Sequence, residues 1–359
     1  MSRRRIAQHQ PDDAESGGSG VTETSPPEGS ATPARTRRQR VRRVALITLL
    51  VVALLGGGGL VATAFYLRSV ESNVERIDTF TEVPEETRPV KVVHEAQNLL
   101  ILGSDSRDPE KTSGSRTDTI ILAHLPEDRS SAQLISIPRD TWVPIPRSKD
   151  GRYGGRKAKI NAAFAWGGVP LMVQTVEKFT GVRIDHVVVV DFAGFKEIVD
   201  ALGGIDIEVD RTFTSIHPPF RTFRSGKQRM DGAAALDYSR QRKQFPDGDF
   251  TRIHHQQQVI KAIIDKAASG GTLASPGKLH DFLQATATAV SVDKTLSILD
   301  LATQLYGLRG GNLSFFTSPT TGTGRVGTES VVFADDEKVR VLFDAVRRDA
   351  VPEILDAGK

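Results

Sequence analysis

The chain has 359 residues, of which 25% are charged and 38% are hydrophobic, a balance that is ordinary for a globular protein. It contains no cysteine, which excludes disulfide bonds, thiolate metal sites and a cysteine nucleophile. The formal net charge is only +3, and basic residues before position 44 account for part of it, so composition alone does not predict nucleic-acid binding.

The N-terminal part of the chain divides into a polar segment and an apolar one. Residues 1–43 are rich in Pro, Gly, Ser and Thr and end in a run of arginines, a composition typical of disorder. Residues 44–67 contain no charged residue, and a helix of that length spans a hydrocarbon layer of about 30 Å. We therefore predict a disordered cytoplasmic tail at 1–43 and a transmembrane helix at 44–67.

A cleaved signal peptide is the alternative interpretation of this region. Residues 44–55 have the length of an apolar signal core, and residues 62–64 resemble a cleavage site. The basic leader is much longer than that of a signal peptide, which favours a permanent anchor. Because the arginines crowd the N-terminal flank, the positive-inside rule predicts a single-pass protein of the cell membrane whose remainder is extracytoplasmic.

The extracytoplasmic part alternates between strand and helix patterns. Residues 68–96, which include Pro84 and Pro89, predict a stalk with little core of its own, and 97–350 predict the folded domain before a tail at 351–359. Predicted strands lie at 98–102, 119–123, 133–137, 186–190, 205–209 and 312–317. Predicted helices lie at 192–202, 249–268, 278–290, 292–308 and 335–348. This alternation indicates an α/β fold.

Two acids flank a polar loop between the first two predicted strands. Asp105 follows one strand and Asp118 precedes the next, so a tight loop would bring both to one sheet edge. Two carboxylates at such short range repel unless a cation lies between them. Mg²⁺ typically takes one or two protein carboxylates and completes its shell with water and phosphate oxygens. The alternative is that both acids merely cap the loop.

Arginines crowd the same strand ends. Arg107, Arg116 and Arg139 all lie next to predicted strand termini. Strand ends are where open α/β sheets usually bind ligands, and the planar guanidinium group matches phosphate in a bidentate manner. A solvated surface cluster is the alternative interpretation of these three residues.

A second polar cluster lies about a hundred residues downstream. An extended segment at 238–242 would direct Arg240 and Arg242 to one side, whereas a helix would separate them. Asp249 is a predicted N-cap, and Arg252 and Gln256 stand four apart on the helix that follows. With the first cluster, these residues predict a site for a magnesium-bound pyrophosphate. A network of salt bridges without a ligand is the alternative.

The order of these motifs resembles the LytR-CpsA-Psr family of cell-wall ligases, over roughly residues 96–345. The matching motifs are Gly-Ser-Asp-Ser-Arg at 103–107, Arg-Thr-Asp-Thr at 116–119, Ser-Ile-Pro-Arg-Asp at 136–140, Lys-Ile-Asn-Ala-Ala at 159–163, Asp-Phe at 191–192, Tyr-Ser-Arg-Gln-Arg at 238–242, Gly-Asp at 248–249, and the stretch 252–257. One departure is His255, where the family more often has arginine.

The resemblance implies a three-layer α/β/α domain with a central mixed sheet. It also implies an apolar channel for a polyprenyl chain, with a magnesium pyrophosphate at its mouth. Asp105 and Asp118 would hold Mg²⁺, or Mn²⁺ in its place. The residues implied to bind pyrophosphate are Arg139, Arg240, Arg242, Arg252 and Gln256, with Arg107 and Arg116 as neighbours.

The implied reaction transfers a glycopolymer from a polyprenyl-pyrophosphate carrier to a sugar hydroxyl of peptidoglycan and forms a phosphodiester. Pyrophosphatase activity would be a side reaction. The implied catalytic residues are Asp105, Asp118 and Arg139, with Asp105 or Asp118 assisting deprotonation of the hydroxyl. The implied partners are the lipid-linked polymer, peptidoglycan and the membrane, and not nucleic acid. The polymer itself stays open between arabinogalactan, teichoic acid and capsule.

Two other functions are compatible with parts of the sequence. A non-catalytic protein that binds polyprenyl phosphates would use the same arginines but would need neither the paired acids nor magnesium. A DNA-binding regulator would use the basic tail, but those arginines are better explained as a topology signal.

Overall fold

The computed structural model describes residues 68–105, 117–305, 308 and 310–351. The predicted tail at 1–43, the predicted transmembrane helix at 44–67, Arg107, Arg116 and residues 352–359 lie outside this part. Among the helices of the described ranges, none is long and apolar enough to cross a membrane.

The strands are short and spread along the whole described chain. They are β1 (Glu75–Ile77), β2 (Gln97–Ser104), β3 (Thr117–Leu125), β4 (Ala132–Ser136), β5 (Trp142–Ile145), β6 (Arg156–Lys159), β7 (His186–Asp191), β8 (Ile205–Val209), β9 (Phe213–Thr214), β10 (Thr222–Phe223), β11 (Gly226–Met230), β12 (Val290–Asp293), β13 (Leu313–Thr317), β14 (Thr320–Val326) and β15 (Glu329–Ala334).

The helices follow the strands in an α/β alternation. They are α1 (Ala162–Thr180), α2 (Phe192–Ala201), α3 (Gly232–Arg240), α4 (Asp249–Ala267), α5 (Gly270–Leu273), α6 (Pro276–Ala289), α7 (Ile298–Leu305) and α8 (Asp336–Arg347). Asp191 caps α2 as predicted, because its carboxylate accepts a hydrogen bond from the backbone N–H of Gly194.

Seven strands form a mixed central sheet in the order β1-β12-β7-β2-β3-β4-β13. β2 is antiparallel to β3 and parallel to β7, and β3 is antiparallel to β4. Successive side chains of a strand point to opposite faces. Leu100 accordingly packs with helices α1 and α8, through residues such as Val173 and Phe343, whereas Leu99 packs on the other face with Ile260 of α4. The predicted α/β/α layering with a mixed sheet is confirmed.

The segment at 68–96 is a part of the domain and not the predicted stalk. β1 pairs in parallel with β12 as the edge of the central sheet. Val70, Ile77 and Val83 are each at most 5% exposed, and Ile77 belongs to the main core cluster. The prolines that suggested a stalk lie in the loop after β1, so they do not prevent this pairing.

The predicted helix at 292–308 was also wrong over residues 292–297. Val290–Asp293 is a buried strand, β12, and the helix α7 begins only at Ile298. Asp293 ends the strand, because its buried carboxylate accepts hydrogen bonds from the backbone N–H groups of Val187 (2.9 Å) and Thr295 (2.9 Å). Such a long-range partner has no signal in the local sequence pattern.

The contribution of β1 to stability can be measured by shortening a buried side chain. Ile77→Ala should lower the free energy of unfolding by about 2–4 kcal/mol, because it leaves a cavity in the main core. The matched control is Val90→Ala, a side chain that is 80% exposed and should change stability by less than about 0.5 kcal/mol. Guanidinium unfolding of both variants measures the difference. Equal stability of both variants and the parent would contradict a structural role for β1.

Candidate functional site

Three neighbouring strands, β7, β2 and β3, bring acidic residues together at the end of the sheet where β2 and β7 terminate and β3 begins. In the β2–β3 hairpin, Gly103 pairs with Thr119 and Ser104 pairs with Thr117, so Asp118 is the extra residue of a bulge. Asp105 follows β2 directly and is exposed. Asp191 ends β7, opposite Ser104. The expected approach of Asp105 and Asp118 at one sheet edge is therefore observed, while their role as metal ligands stays a prediction.

A cavity of about 350 Å³ opens at this edge, bounded by the sheet and by helices α2, α3 and α4. Its polar lining consists mainly of Asp118, Arg139, Arg240, Arg242, Lys243, Arg252 and Gln256. Its apolar lining includes Ile101, Ile121, Phe195, Ile198, Leu236, Val259, Ile260 and Ile263. Arg107 and Arg116, the remaining predicted neighbours, lie outside the described residues.

Polar and apolar linings occupy different depths of the cavity. On β3 the lining passes from Asp118 at the strand end to Ile121 further along the strand. On α4 it passes from Arg252 near the first turn to Ile260 two turns later. Arg252 contacts the Asp118 backbone, and Ile260 packs with the cluster that contains Ile121. The lining therefore changes from polar to apolar in the same direction along β3 and along α4. The cavity is charged at the strand ends and apolar inside.

Ion pairs join the two sequence clusters. Arg139 donates to the Asp118 carboxylate. From the second cluster, Arg242 donates to Oδ2 of Asp140 at 2.8 Å, and Arg252 donates to the backbone oxygen of Asp118 at 3.3 Å. Residues separated by more than a hundred positions thus meet around one cavity. Asp140 was not among the predicted site residues, although it ends the Ser-Ile-Pro-Arg-Asp motif.

Asp249, which does not line the cavity, contacts two of the arginines that do. Its Oδ1 lies 2.5 Å from Arg252 Nη2 and 3.4 Å from Arg242 Nε. Only 5% of the residue is exposed, and burial raises the pKa of its carboxyl despite the attraction of both arginines. At the other side of the site, burial opposes the charge of Arg139, but Asp118 and Asp140 outweigh it and raise the pKa of Arg139. Burial lowers the pKa of Arg252, and the adjacent Asp249 carboxylate opposes this shift.

Two guanidinium nitrogens of the site keep hydrogen-bonding capacity. Nε of Arg139 and Nε of Arg252 are buried and have no hydrogen-bond partner within the described ranges. Native proteins rarely leave a buried donor unpaired, and such a group usually indicates a bound molecule or water. Nε of Arg139 lies 3.9 Å from the Asp140 carboxylate, and both carboxylate oxygens of Asp249 are equally buried without a hydrogen-bond partner. These unpaired atoms therefore belong to the ion-pair network of the site, and it is the four arginines of the cavity lining that fit an anionic ligand.

The geometry around Arg240 differs from the prediction. The segment 238–242 was predicted to be extended, but α3 continues to Arg240, and Gln241 after it has extended dihedral angles (φ −68°, ψ 129°). Asp231 caps this helix and a run of alanines favours it. The two-residue spacing of Arg240 and Arg242, from which the extended segment was predicted, does not reflect these helix signals. The change of direction at Gln241 still allows Arg240 and Arg242 to line the same cavity. The exposed Arg240 guanidinium lies 4.8 Å from the centre of the Phe192 ring.

The start of α4 differs by one residue from the prediction. Gly248, with φ +52°, occupies the N-cap, and Asp249 is the first helical residue. Arg252 and Gln256 both line the cavity as expected from their spacing. Gln257 does not share this role, because its side-chain amide donates to Ser136 Oγ (3.1 Å) and to the Phe316 carbonyl (3.0 Å), which fixes α4 to the sheet.

His255 faces away from the cavity into an aromatic cluster. Its ring stacks on Tyr238 at 4.1 Å and on Phe213 at 5.6 Å. Burial lowers the pKa of His255 to about 4. The ring is therefore neutral near pH 7 and adds no charge to the arginine cluster.

Among the described residues, no group of three or more His, Cys, Asp or Glu side chains is placed to enclose a metal ion. A Mg²⁺ ion does not require such a group, since one or two carboxylates and phosphate oxygens can complete its coordination. Asp118 at the cavity and Asp105 at the adjacent strand end fit this smaller requirement.

Comparison with known proteins places this site in a family context. Residues 64–348 match the model of the LytR_cpsA_psr family. The cell wall biosynthesis protein LcpA of Corynebacterium glutamicum is 31% identical over 303 residues, which cover 73% of this chain and 58% of LcpA. The chain thus spans less than two thirds of the length of that relative.

For two further relatives, the matched region covers most of the relative's length. The polyisoprenyl-teichoic acid–peptidoglycan teichoic acid transferase TagU of Bacillus mycoides is 35% identical over 232 residues, which are 64% of this chain and 72% of TagU. The crystal structure of B. subtilis TagV superposes with a TM-score of 0.60 at 28% identity and covers 72% of this chain and 98% of that structure.

The buried His255 should make stability dependent on pH. In the unfolded chain a histidine binds its proton with a pKa near 6.5, whereas in the fold His255 does so only near 4. The unfolded state binds more protons between these values, so the free energy of unfolding should fall by up to about 3 kcal/mol as the pH is lowered from about 6.5 to about 4. Urea unfolding of the parent and of His255→Phe measures this. The parent should lose stability relative to the variant, and parallel pH profiles would contradict the buried, neutral ring.

Proposed function

The chain belongs to the LytR-CpsA-Psr family, and on that premise we propose that it is a membrane-anchored, extracytoplasmic phosphotransferase. It moves a glycopolymer from a polyprenyl-pyrophosphate carrier to a sugar hydroxyl of peptidoglycan. The names of its relatives, a cell wall biosynthesis protein and a teichoic acid–peptidoglycan transferase, support the type of reaction. The observation that carries the proposal is one cavity with an arginine-rich end and an apolar interior.

The polar end of the cavity matches a diphosphate. Arg139, Arg240, Arg242 and Arg252 all line it. Hydrogen bonds between charged partners are worth about 1.5–3 kcal/mol each, more than the cost of holding several arginines together at a surface. Gln256 adds a neutral donor on the same helix face as Arg252.

The apolar interior matches a prenyl chain. The walls are contributed by branched aliphatic and aromatic residues of β2, β3, α2, α3 and α4. They carry few polar groups that would remain unsatisfied against a hydrocarbon. The sequence at 44–67 supports the same proposal, because an anchor would hold the domain beside the bilayer that contains such carriers.

The transfer exchanges one phosphorus–oxygen bond for another. The acceptor hydroxyl oxygen forms a bond to the phosphorus that bears the glycopolymer, the bond from that phosphorus to the bridging oxygen breaks, and polyprenyl phosphate leaves. The hydroxyl proton passes to a base, for which Asp105 and Asp118 are the candidates. The arginines stabilise the charge that develops on the leaving phosphate, which is the main catalytic requirement of phosphoryl transfer. Bound Mg²⁺, held by Asp105 and Asp118, would neutralise phosphate oxygens.

Arg240 provides the clearest test of diphosphate binding. Its guanidinium is exposed and contacts the Phe192 ring, so its removal does not leave a buried acid unpaired. Arg240→Ala should lower transfer from a synthetic lipid-diphosphate donor roughly tenfold to a hundredfold, the equivalent of one charge-assisted hydrogen bond. Arg325→Ala is the matched control, an exposed arginine on β14 that donates to the backbone of Thr328. Equal rates in both variants would argue against the proposed site.

Asp118 provides the test of the metal and of the enzyme assignment. Asp118→Asn should raise the Mg²⁺ concentration for half-maximal transfer about tenfold or more, because the amide lacks the charge that attracts the ion. Asp128→Asn is the control, since that exposed carboxylate only accepts a hydrogen bond in the turn after β3. An unchanged magnesium curve for Asp118→Asn would remove Asp118 from the metal site. Donor binding without any transfer by the parent protein would favour the non-catalytic alternative.

A further inference from the structure

The loop 215–221, between β9 and β10, exposes a group of apolar side chains. Phe220 is 60% exposed and Ile216 is 41% exposed, and the exposed Pro218 and Pro219 lie between them. Scattered apolar residues on a surface need no explanation, but a contiguous group often indicates an interaction site.

Hydrogen bonds fix the conformation of this loop. The backbone N–H of Ser215 donates to the backbone carbonyl of Arg221 (2.8 Å), and that of Phe220 donates to the backbone carbonyl of His217 (2.7 Å). The backbone N–H of Ile216 donates to Oε1 of Gln241 (3.2 Å). Phe220 has φ +58°, a left-handed conformation that bulky residues rarely adopt. The chain therefore holds an aromatic ring toward the outside in a strained backbone, which is typical of functional positions.

The apolar loop is continuous with the cavity. Ile216 and His217 line the cavity together with Arg240 and Lys243. Gln241, which follows Arg240 in the chain, accepts from the loop backbone and donates to Ser215 Oγ at 2.9 Å. The position of the loop is therefore coupled to the segment that carries the proposed diphosphate-binding arginines.

Basic side chains flank the apolar group. Arg211, Arg224 and Lys243 are exposed, whereas Arg221 is half-buried and lies 3.9 Å from the Asp237 carboxylate. Glu208 and Asp210 are exposed acids at this end of β8, and the Asp210 carboxylate lies 3.0 Å from Nε2 of His254. Exposed aromatic and aliphatic side chains beside a basic surround are the combination that enters the interfacial region of an anionic bilayer.

We propose that loop 215–221 is a membrane-docking loop. Ile216 and Phe220 enter the boundary between head groups and acyl chains, and the flanking basic residues contact anionic head groups. The cavity then opens at the bilayer surface, so a lipid carrier reaches it without crossing water. This inference rests on the proposed function in one respect, namely that the donor is a membrane lipid.

The absence of cysteine allows a site-specific test in the full chain. Phe220→Cys, labelled with the fluorophore NBD, is reconstituted into vesicles of phosphatidylcholine and phosphatidylglycerol with and without doxyl-labelled lipid. The matched control is labelled Val341→Cys, which is 53% exposed on α8, a helix on the opposite face of the sheet. We expect doxyl lipid to quench the label at 220 and to leave the label at 341 unaffected. Equal quenching at both positions, or none at 220, overturns the membrane-docking loop.

A second measurement separates this inference from the proposed enzyme activity. Phe220→Ser should reduce transfer from a long-chain lipid diphosphate embedded in vesicles but leave transfer from a short-chain, water-soluble donor unchanged, because Phe220 does not line the cavity. Equal loss with both donors overturns the docking role. If the parent transfers from neither donor, the proposed function fails, while quenching at 220 alone would still support membrane contact.

Discussion

The Arg252 guanidinium connects the two halves of the site. It lies 2.5 Å from the Asp249 carboxylate on its own helix and 3.3 Å from the Asp118 backbone oxygen on β3. Like charges about 8 Å apart repel by roughly 0.5 kcal/mol in water and by several times more in a protein environment. Asp249 and Asp140, which do not line the cavity, offset this repulsion. The arginine side chains can therefore still contact a ligand in the cavity.

The two ends of the cavity contribute different kinds of selectivity to the proposed reaction. A prenyl chain that moves from a bilayer into an apolar cavity exchanges one hydrocarbon environment for another, so its burial adds little net free energy. The diphosphate, in contrast, exchanges water for fixed guanidinium groups. Affinity for the carrier therefore depends mainly on the arginines, whereas the apolar walls exclude water and decide where the chain lies.

Local patterns predicted β2, β3, β7, α2 and α4 of the site but not α3, and long-range contacts decided the remainder. The apolar runs of β2 and β3 and the cap at Asp191 are local signals, and the structure confirms them. β1 and β12 are only three and four residues long, too short for a recognisable strand pattern. Their pairing joins residues more than two hundred positions apart, which a local pattern does not show. The helical Arg240 was missed for a related reason, since a shared ligand restricts where side chains lie but not which backbone conformation brings them there.

In the proposed complex, helix α4 would contact both parts of a lipid diphosphate, because its lining residues follow the helical repeat. Arg252, Gln256, Val259 and Ile263 are three or four positions apart and lie along one face, from the helix start inward. The positive end of the helix dipole favours an anion near its first turn. A carrier bound with its diphosphate at this end would place its chain along the apolar part of the same face. The direction of α4 therefore determines the orientation of the proposed substrate.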